Sequence, residues 1–481
     1  MFFSQTKTMQ KTQMINIKHP SVQINDELEA NHTLSEALEL FKRLFNKKMI
    51  ENISNETGFI IRTSSKMTGL IFLISILSSS CYGSHSTLEK MSEIVTRVSH
   101  KIKISAQALM KRINRKSSVD FLKIIYSKVL KEKLSTLQEA PAELLAHFKK
   151  VLIQDSSSVT LNEKLQEHFK GSGGRSSKST AKLDVIYDWK AKDYEQITLT
   201  DQGEADQTLG LNIEPFLTKD SLVIRDLGYL RVDCLAKISE KNAFFLSRLR
   251  SDTKVFLSQN DEAPIELEDL VSKKYKGFNL IDLQVYVTAK KFPVRLVIYK
   301  APEGVANERR RLARMVGKKQ GRQLREKTLK MMGYTMFITN VPPEVWKPEV
   351  IGTIYRVRWQ IELLFKCWKS GAEIEHLEGI NAERIRCLIY SKLILLLLIN
   401  WVYKIAEFMG AKIGREVSMY KVFAWVKDGD RLIKLLKGAL GRRERNLFNQ
   451  SLGRMCKQKR KRKTTLQLLC EGEFYCQRAL G

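Results

Sequence analysis

VLIQDSSSVTL, residues 151–161, marks the point at which the sequence changes character. Upstream, from 31 to 149, apolar residues recur at helical spacing, as in Leu34, Ala37, Leu38, Leu40, Phe41 and Leu44, and strand signals are few. From Val151 onward short apolar runs bounded by turn residues take over. VLIQD reads as a strand ending in Asp155, followed by SSS, VTLNEKL and a Gly/Ser-rich loop at 171–179. Strands at 181–187 and 195–200 come next, joined by a turn around Lys192 and Asp193. A polar helical stretch at 203–216 leads into SLVIRDLGY (221–229), an apolar strand ending in Asp226, and then a helix at 230–241 and the strand AFFLSRL (243–249). Parallel strands deliver their C-terminal residues to one edge of a sheet, so Asp155 and Asp226 are expected side by side. Asp184 and Asp188 also lie near a strand and compete with Asp155, but only Asp155 closes the first strand of the run.

Further along, YRVRWQIELLFKCWK (355–369) places Tyr355, Arg358, Glu362 and Lys369 within about 60° of one helix face. Val357, Ile361, Leu364 and Trp368 occupy the opposite face, which can bury against a sheet. A glutamate beside Arg and Lys is by itself an ordinary solvated pair. Here Tyr355 and Trp359 flank the arginine, and cations interleaved with aromatic rings suit phosphates and bases. Arg358 and Lys369 are read as exposed cations that contribute little to stability.

The spacing Tyr-x2-Arg-x3-Glu-x6-Lys resembles the signature of the DDE transposases of the insertion-sequence-four family. DSSSVTL resembles that family's first aspartate segment, with Ser157 where Thr is usual, and IRDLGY resembles the second, with Gly228, Tyr229 and the following SRLR (247–250) in step. The resemblance covers roughly 151–401 and implies an α/β, RNase H-like core, whose element order the strands above already follow. It implies that Asp155, Asp226 and Glu362 are metal-binding catalytic carboxylates, and that Tyr355, Arg358 and Lys369 hold transposon-end DNA. Trp359 is added as a stacking residue for a flipped base, with a structural tryptophan as the alternative. Three carboxylates in one cleft repel one another unless divalent cations neutralise them. Two Mg²⁺ ions, with Mn²⁺ able to substitute, serve in-line phosphodiester displacement. The family fills the interval between Asp226 and Glu362 with a β-rich insertion, and strand-like runs at 253–257, 283–288, 294–299 and 336–339 fit it. Family likeness also implies a homodimer pairing two inverted-repeat ends, and excision through hairpin-ended DNA.

Charge agrees with a polyanionic partner: 82 Lys and Arg stand against 52 Asp and Glu, a formal net charge of +30. The segment 101–134, the stretch 309–330 and KQKRKRK at 457–463 concentrate the surplus. Each is read as a DNA-contacting surface, with a solvated basic face as the alternative. The seven cysteines lack metal-ligand spacing and point to reduced, structural thiols. The apolar runs 69–77 and 387–399 are too short to cross a bilayer, and Lys392 interrupts the second, so both are read as buried helices without a membrane role.

The expected organisation is a helical N-terminal DNA-binding region (1–149), the first part of the core (150–252), a β-rich insertion with a basic helix (253–340), the second part of the core (341–425) and a basic C-terminal region (426–481). The expected function is that of a cytoplasmic, nucleoid-associated bacterial insertion-sequence transposase. It binds terminal inverted repeats and target double-stranded DNA, and performs Mg²⁺-dependent strand cleavage and strand transfer. The alternatives are an inactive, transposase-derived DNA-binding protein and a metal-dependent nuclease without strand transfer.

Overall fold

The computed structural model describes residues 38–61, 67–83, 87–134, 143–171, 177–200, 204–229, 231–428, 430–458 and 465–470. The N-terminal 37 residues and all of the basic run at 457–463 except Lys457 and Gln458 lie outside them.

The apolar triplet Val151, Leu152 and Ile153 is fully buried on both faces, which makes the strand β1 (Lys150–Thr160) central. β1 pairs antiparallel with β2 (Thr180–Asp188), and β2 with β3 (Asp193–Thr200). The β2–β3 turn is held by the Asp188 carboxylate, which accepts from the backbone N–H groups of Lys190 (3.0 Å) and Ala191 (3.3 Å). On its other side β1 runs parallel to β4 (Ser221–Arg225), and β4 parallel to β5 (Phe244–Arg248). Helix α1 (Val232–Glu240) makes the crossover between β4 and β5. The order β3-β2-β1-β4-β5, three antiparallel strands followed by parallel ones, is the RNase H-like arrangement.

Four more strands extend the same sheet: β6 (Val255–Phe256), β7 (Leu280–Val287), β8 (Phe292–Lys300) and β9 (Tyr334–Thr339). The full order is β3-β2-β1-β4-β5-β9-β8-β7-β6, so β9 pairs with β5 on one side and β8 on the other. The basic stretch at 309–330 forms parts of two helices, Glu303–Lys319 and Glu326–Met331, between β8 and β9.

β1 departs from its expected end. It does not stop at Asp155 but continues through the serines to Thr160, because β2 supplies partners from Leu152 to Thr160. Parallel pairing with β4 does end there, at Gln154 opposite Arg225. Asp155 is therefore at a strand end with respect to β4 and in mid-strand with respect to β2.

Alternation along β1 sends Ile153 and Asp155 to one face and Leu152 and Gln154 to the other. The first face is covered by helices, among them α2 (Trp359–Gly371) and α3 (Ala382–Lys412). α3 alone is long and apolar enough, among the described residues, to span a bilayer by length and composition. Most of its apolar window is buried inside the protein, and Leu393, Ile394 and Leu395 are fully enclosed, as in a core helix. The helical region before β1 packs against it: Ser80 and Ser391 share a 2.8 Å hydrogen bond, and the Cys387 thiol donates to the Ile113 carbonyl. Lys392, which interrupts the apolar run, donates to the carbonyls of Ala372 (2.6 Å) and Glu373 (3.1 Å), just past the C-terminus of α2. Burial pushes its ammonium down to about 8. Lys427 donates to the Gly371 carbonyl at 3.0 Å, so two lysines serve the orphan carbonyls of α2. Cys81, Cys234, Cys367, Cys387 and Cys456 are free and buried.

Candidate active site

Asp155 and Asp226 each follow one member of the last parallel pair, Gln154 and Arg225, and so emerge on neighbouring strands. The third carboxylate comes from α2. Residues 351–371 are not one uniform helix: Ile351–Tyr355 is α-helical, Arg356–Arg358 is a 3-10 turn, and α2 begins at Trp359. Val357 and Ile361 are fully enclosed, and Leu364 and Trp368 are buried beside them, as the two-faced pattern requires. Trp368 donates its indole N–H to the Tyr194 hydroxyl at 3.3 Å. That buried face fixes the rotation of α2 and aims Glu362, in its first turn, back toward the sheet.

Arg358 ties the groups together. Its Nη1 donates to Asp155 Oδ2 at 3.2 Å and its Nη2 to Glu362 Oε1 at 2.5 Å. Tyr355 donates its hydroxyl to Asp226 Oδ1 at 3.1 Å, and the Arg358 guanidinium lies 5.8 Å from the Tyr355 ring centre. Burial pushes the Asp155 carboxyl up to about 6, with Asp226 and Glu362 adding to the rise and the Ser156 N–H and Arg358 opposing it. Burial works against the charge of Arg358, yet Tyr355, Asp226, Glu362 and Asp155 hold its pKa above the ordinary value. Burial also pushes the Tyr355 hydroxyl up, against the pull of Arg358 and Arg248.

Two residues differ from the exposed, DNA-facing positions expected of them. The Arg358 side chain is only 15 % exposed, because it is drawn in between the carboxylates. Tyr355 is buried, its ring 5.0 Å from that of Phe337 on β9. Trp359, at 45 %, is exposed, with the Lys366 ammonium 4.8 Å from its ring centre. Lys369 lies more than two turns further along α2, paired with Glu375 at 2.7 Å at the surface. Asp184 and Asp188 stay out of the site: Asp188 holds a turn, and Asp184 is enclosed on the opposite face of the sheet. Arg248, half-buried at the end of β5, acts on Tyr355 electrostatically and was not singled out from the sequence. Its signal was its place at the C-terminal end of a parallel strand.

A divalent cation suits this donor set, since oxygen-rich carboxylate clusters are its ordinary ligands. Among the described residues no three His, Cys, Asp or Glu side chains close into one coordination sphere. The guanidinium between Asp155 and Glu362 supplies the compensating positive charge.

The family described as "Transposase DDE domain" matches residues 146–398. The transposase of insertion sequence IS231B from Bacillus thuringiensis subsp. berliner is 26% identical over 437 residues, covering 87% of this chain and 90% of the relative. That of IS1151 from Clostridium perfringens is 27% identical over 402 residues, covering 79% and 84%. A solved piggyBac transposase synaptic complex with hairpin DNA aligns over 89% of this chain and 87% of that one, with a TM-score of 0.45 and 10% identity. The family match spans more than half of the sequence and contains all three carboxylates, and on that ground the chain belongs to the DDE transposases, the DNA-transposing enzymes of insertion sequences.

Proposed function

We propose that this transposase binds the terminal inverted repeats of its insertion sequence, and that Asp155, Asp226 and Glu362 cut the DNA strand and join it to a target. The observation that supports the reading most is the convergence of Asp155, Asp226 and Glu362 on Arg358 and Tyr355, from two strands and a helix far apart in sequence. The three carboxylates would hold divalent ions, two Mg²⁺ or Mn²⁺ in their place, which supply an activated water or 3′-hydroxyl and charge stabilisation for the leaving oxygen.

The chain's own residues have separable parts in this reading. Arg358 has a buried Nε with no hydrogen-bond partner among the described residues, so the hydrogen-bonding capacity of its guanidinium is not used up by the carboxylates. A DNA phosphate can compete with the carboxylates for the same planar guanidinium. Tyr355, itself buried, reaches DNA through Asp226 and Arg358, both of which it touches. The exposed face of Trp359 offers a stacking platform for a base. Lys369 can exchange its surface partner Glu375 for phosphate at little cost. A homodimer pairing two ends, in the bacterial nucleoid, completes the proposal.

The test is nicking of a labelled inverted-repeat duplex with Mg²⁺, followed by product sequencing. Cut and joined products support the reading. Cutting without joining assigns a nuclease, and binding without cutting an inactive DNA-binding protein. Affinity for the same duplex should fall steeply with salt. Removing residues 457–463, six of them cationic, should make the log–log salt slope shallower by up to about 5 with little change in sequence preference. Fluorescence anisotropy across a salt series measures both, and a salt-independent affinity would contradict the nucleic-acid reading of the charge.

A further inference from the structure

On the face of the sheet opposite Asp155 lies a buried polar cluster for which the proposed chemistry has no use. Its centre is Asp184 on β2, fully enclosed. The carboxylate accepts from the Gln154 amide (3.2 and 3.1 Å), from the Tyr229 hydroxyl (2.9 Å) and from the Asn212 amide (3.2 Å). Arg225, also buried, is close enough for Asp184 to act on it electrostatically, and its Nη2 donates to the Gly210 carbonyl at 2.7 Å. Burying a carboxylate is costly, and an apolar side chain would fill the same place without that cost. What a carboxylate adds is directional fixing of several donors at once.

The identity of those donors gives the cluster its meaning. Gln154 immediately precedes Asp155, Arg225 immediately precedes Asp226, and the two are register partners. Tyr229 ends the 3-10 turn that begins one residue after Asp226. Asp226 thus lies between Tyr229, which donates to Asp184, and Arg225, on which Asp184 acts only electrostatically, and Asp155 is preceded by Gln154, another donor to Asp184. On the far side of Asp155, the Ser156 hydroxyl donates to Asp206 at 2.7 Å.

Resting on the triad proposed above, we propose that Asp184 is a positioning residue that sets the spacing of Asp155 and Asp226 from the opposite face of the sheet. It touches neither DNA nor metal. Its carboxylate fixes Gln154, next to Asp155, and Tyr229, three residues past Asp226, and small errors there are transmitted along stiff, fully paired strands.

Calorimetric titration of Mn²⁺ into the full-length protein without DNA reads the effect directly, and nicking at varied metal concentration reads it a second time. Asp184→Asn and Tyr229→Phe should fold, bind end DNA like the parent, and lose about 10- to 100-fold in Mn²⁺ affinity, the range for residues that orient metal ligands. Asp188→Asn is the structural control: that carboxylate is also buried on β2 but holds the β2–β3 turn and the Val151 N–H at the far end of β1 from Asp155, so the variant should lose stability and keep its metal affinity. Parent-like Mn²⁺ affinity in folded Asp184→Asn, or an equal loss in Asp188→Asn, overturns the proposal. If Asp184→Asn does not fold, Tyr229→Phe, which removes one hydrogen bond, decides in its place. Asp226→Asn in the same titration separates the two layers: unchanged Mn²⁺ binding there would undo the triad itself, whereas loss there with no effect at Asp184 would undo only the positioning role.

Discussion

Asp155→Asn, Asp226→Asn and Glu362→Gln should each lower strand cleavage of inverted-repeat DNA by about 10³-fold or more, while end-DNA affinity stays near the parent value. Affinity resides in the cations spread over the chain, and removing one carboxylate does not weaken them. A gel assay for nicking beside an anisotropy titration checks both halves, and full cleavage by any variant removes that residue from the triad. Asp155→Asn carries an added signature. Its carboxyl stands at about 6 in the fold against an ordinary 3.8, so between those pH values the folded chain keeps a proton that the unfolded chain releases. The stabilising contribution of this group is then complete below about pH 4 and lost as pH rises through 6. Above that, the ionised group costs about 2 to 3 kcal/mol in metal-free protein. Asp155→Asn should therefore melt a few degrees above the parent at pH 7.5 in chelator, and no higher than the parent at pH 4.

Trp368→Ala and Arg358→Ala should fail in different ways. Trp368 is almost wholly enclosed between Phe365 and Tyr194, so truncation should cost about 3 to 5 kcal/mol and lower the melting temperature before any catalytic effect is read. Arg358→Ala leaves Asp155 and Glu362 facing each other without the guanidinium. Because that site is partly open to water, the stability loss should be smaller than for Trp368→Ala. Cleavage should nevertheless fall by orders of magnitude, since a misplaced phosphate loses the in-line geometry. Arg358→Lys should recover little, because an ammonium cannot bridge two carboxylates as a planar fork does. Thermal melts and nicking rates of the three purified variants check the contrast, and normal cleavage by Arg358→Ala would end the role assigned to it.

The strand order from Val151 to Leu249 was legible because each apolar run is short and bounded by turn residues. The buried stripe of α2 was legible because Val357, Ile361, Leu364 and Trp368 keep helical spacing. What periodicity does not carry is the partner of a polar residue. Tyr355 and Arg358 sit on the polar face of the pattern, yet Asp226 and Asp155 receive them there and bury them. The end of β1 differs for a related reason: three serines end the apolar run, and only the ladder supplied by β2 keeps them extended. Asp184 looked like a rival ligand because linear sequence does not show the face on which a strand residue lies. Its pairing with Ser156, not Asp155, puts it on the other one.

The place of β9 between β5 and β8 has a consequence for inheritance. Residues 253–340 cannot be lost as a detachable module, because their departure strips β5 of its neighbour and leaves an open, apolar sheet edge. A gene copy carrying that internal deletion should give a chain that accumulates in the insoluble fraction on expression to a greater extent than the intact chain does. Such a copy could not linger as a DNA-binding competitor of its active siblings, so decay of the element by internal deletion would be silent, not dominant.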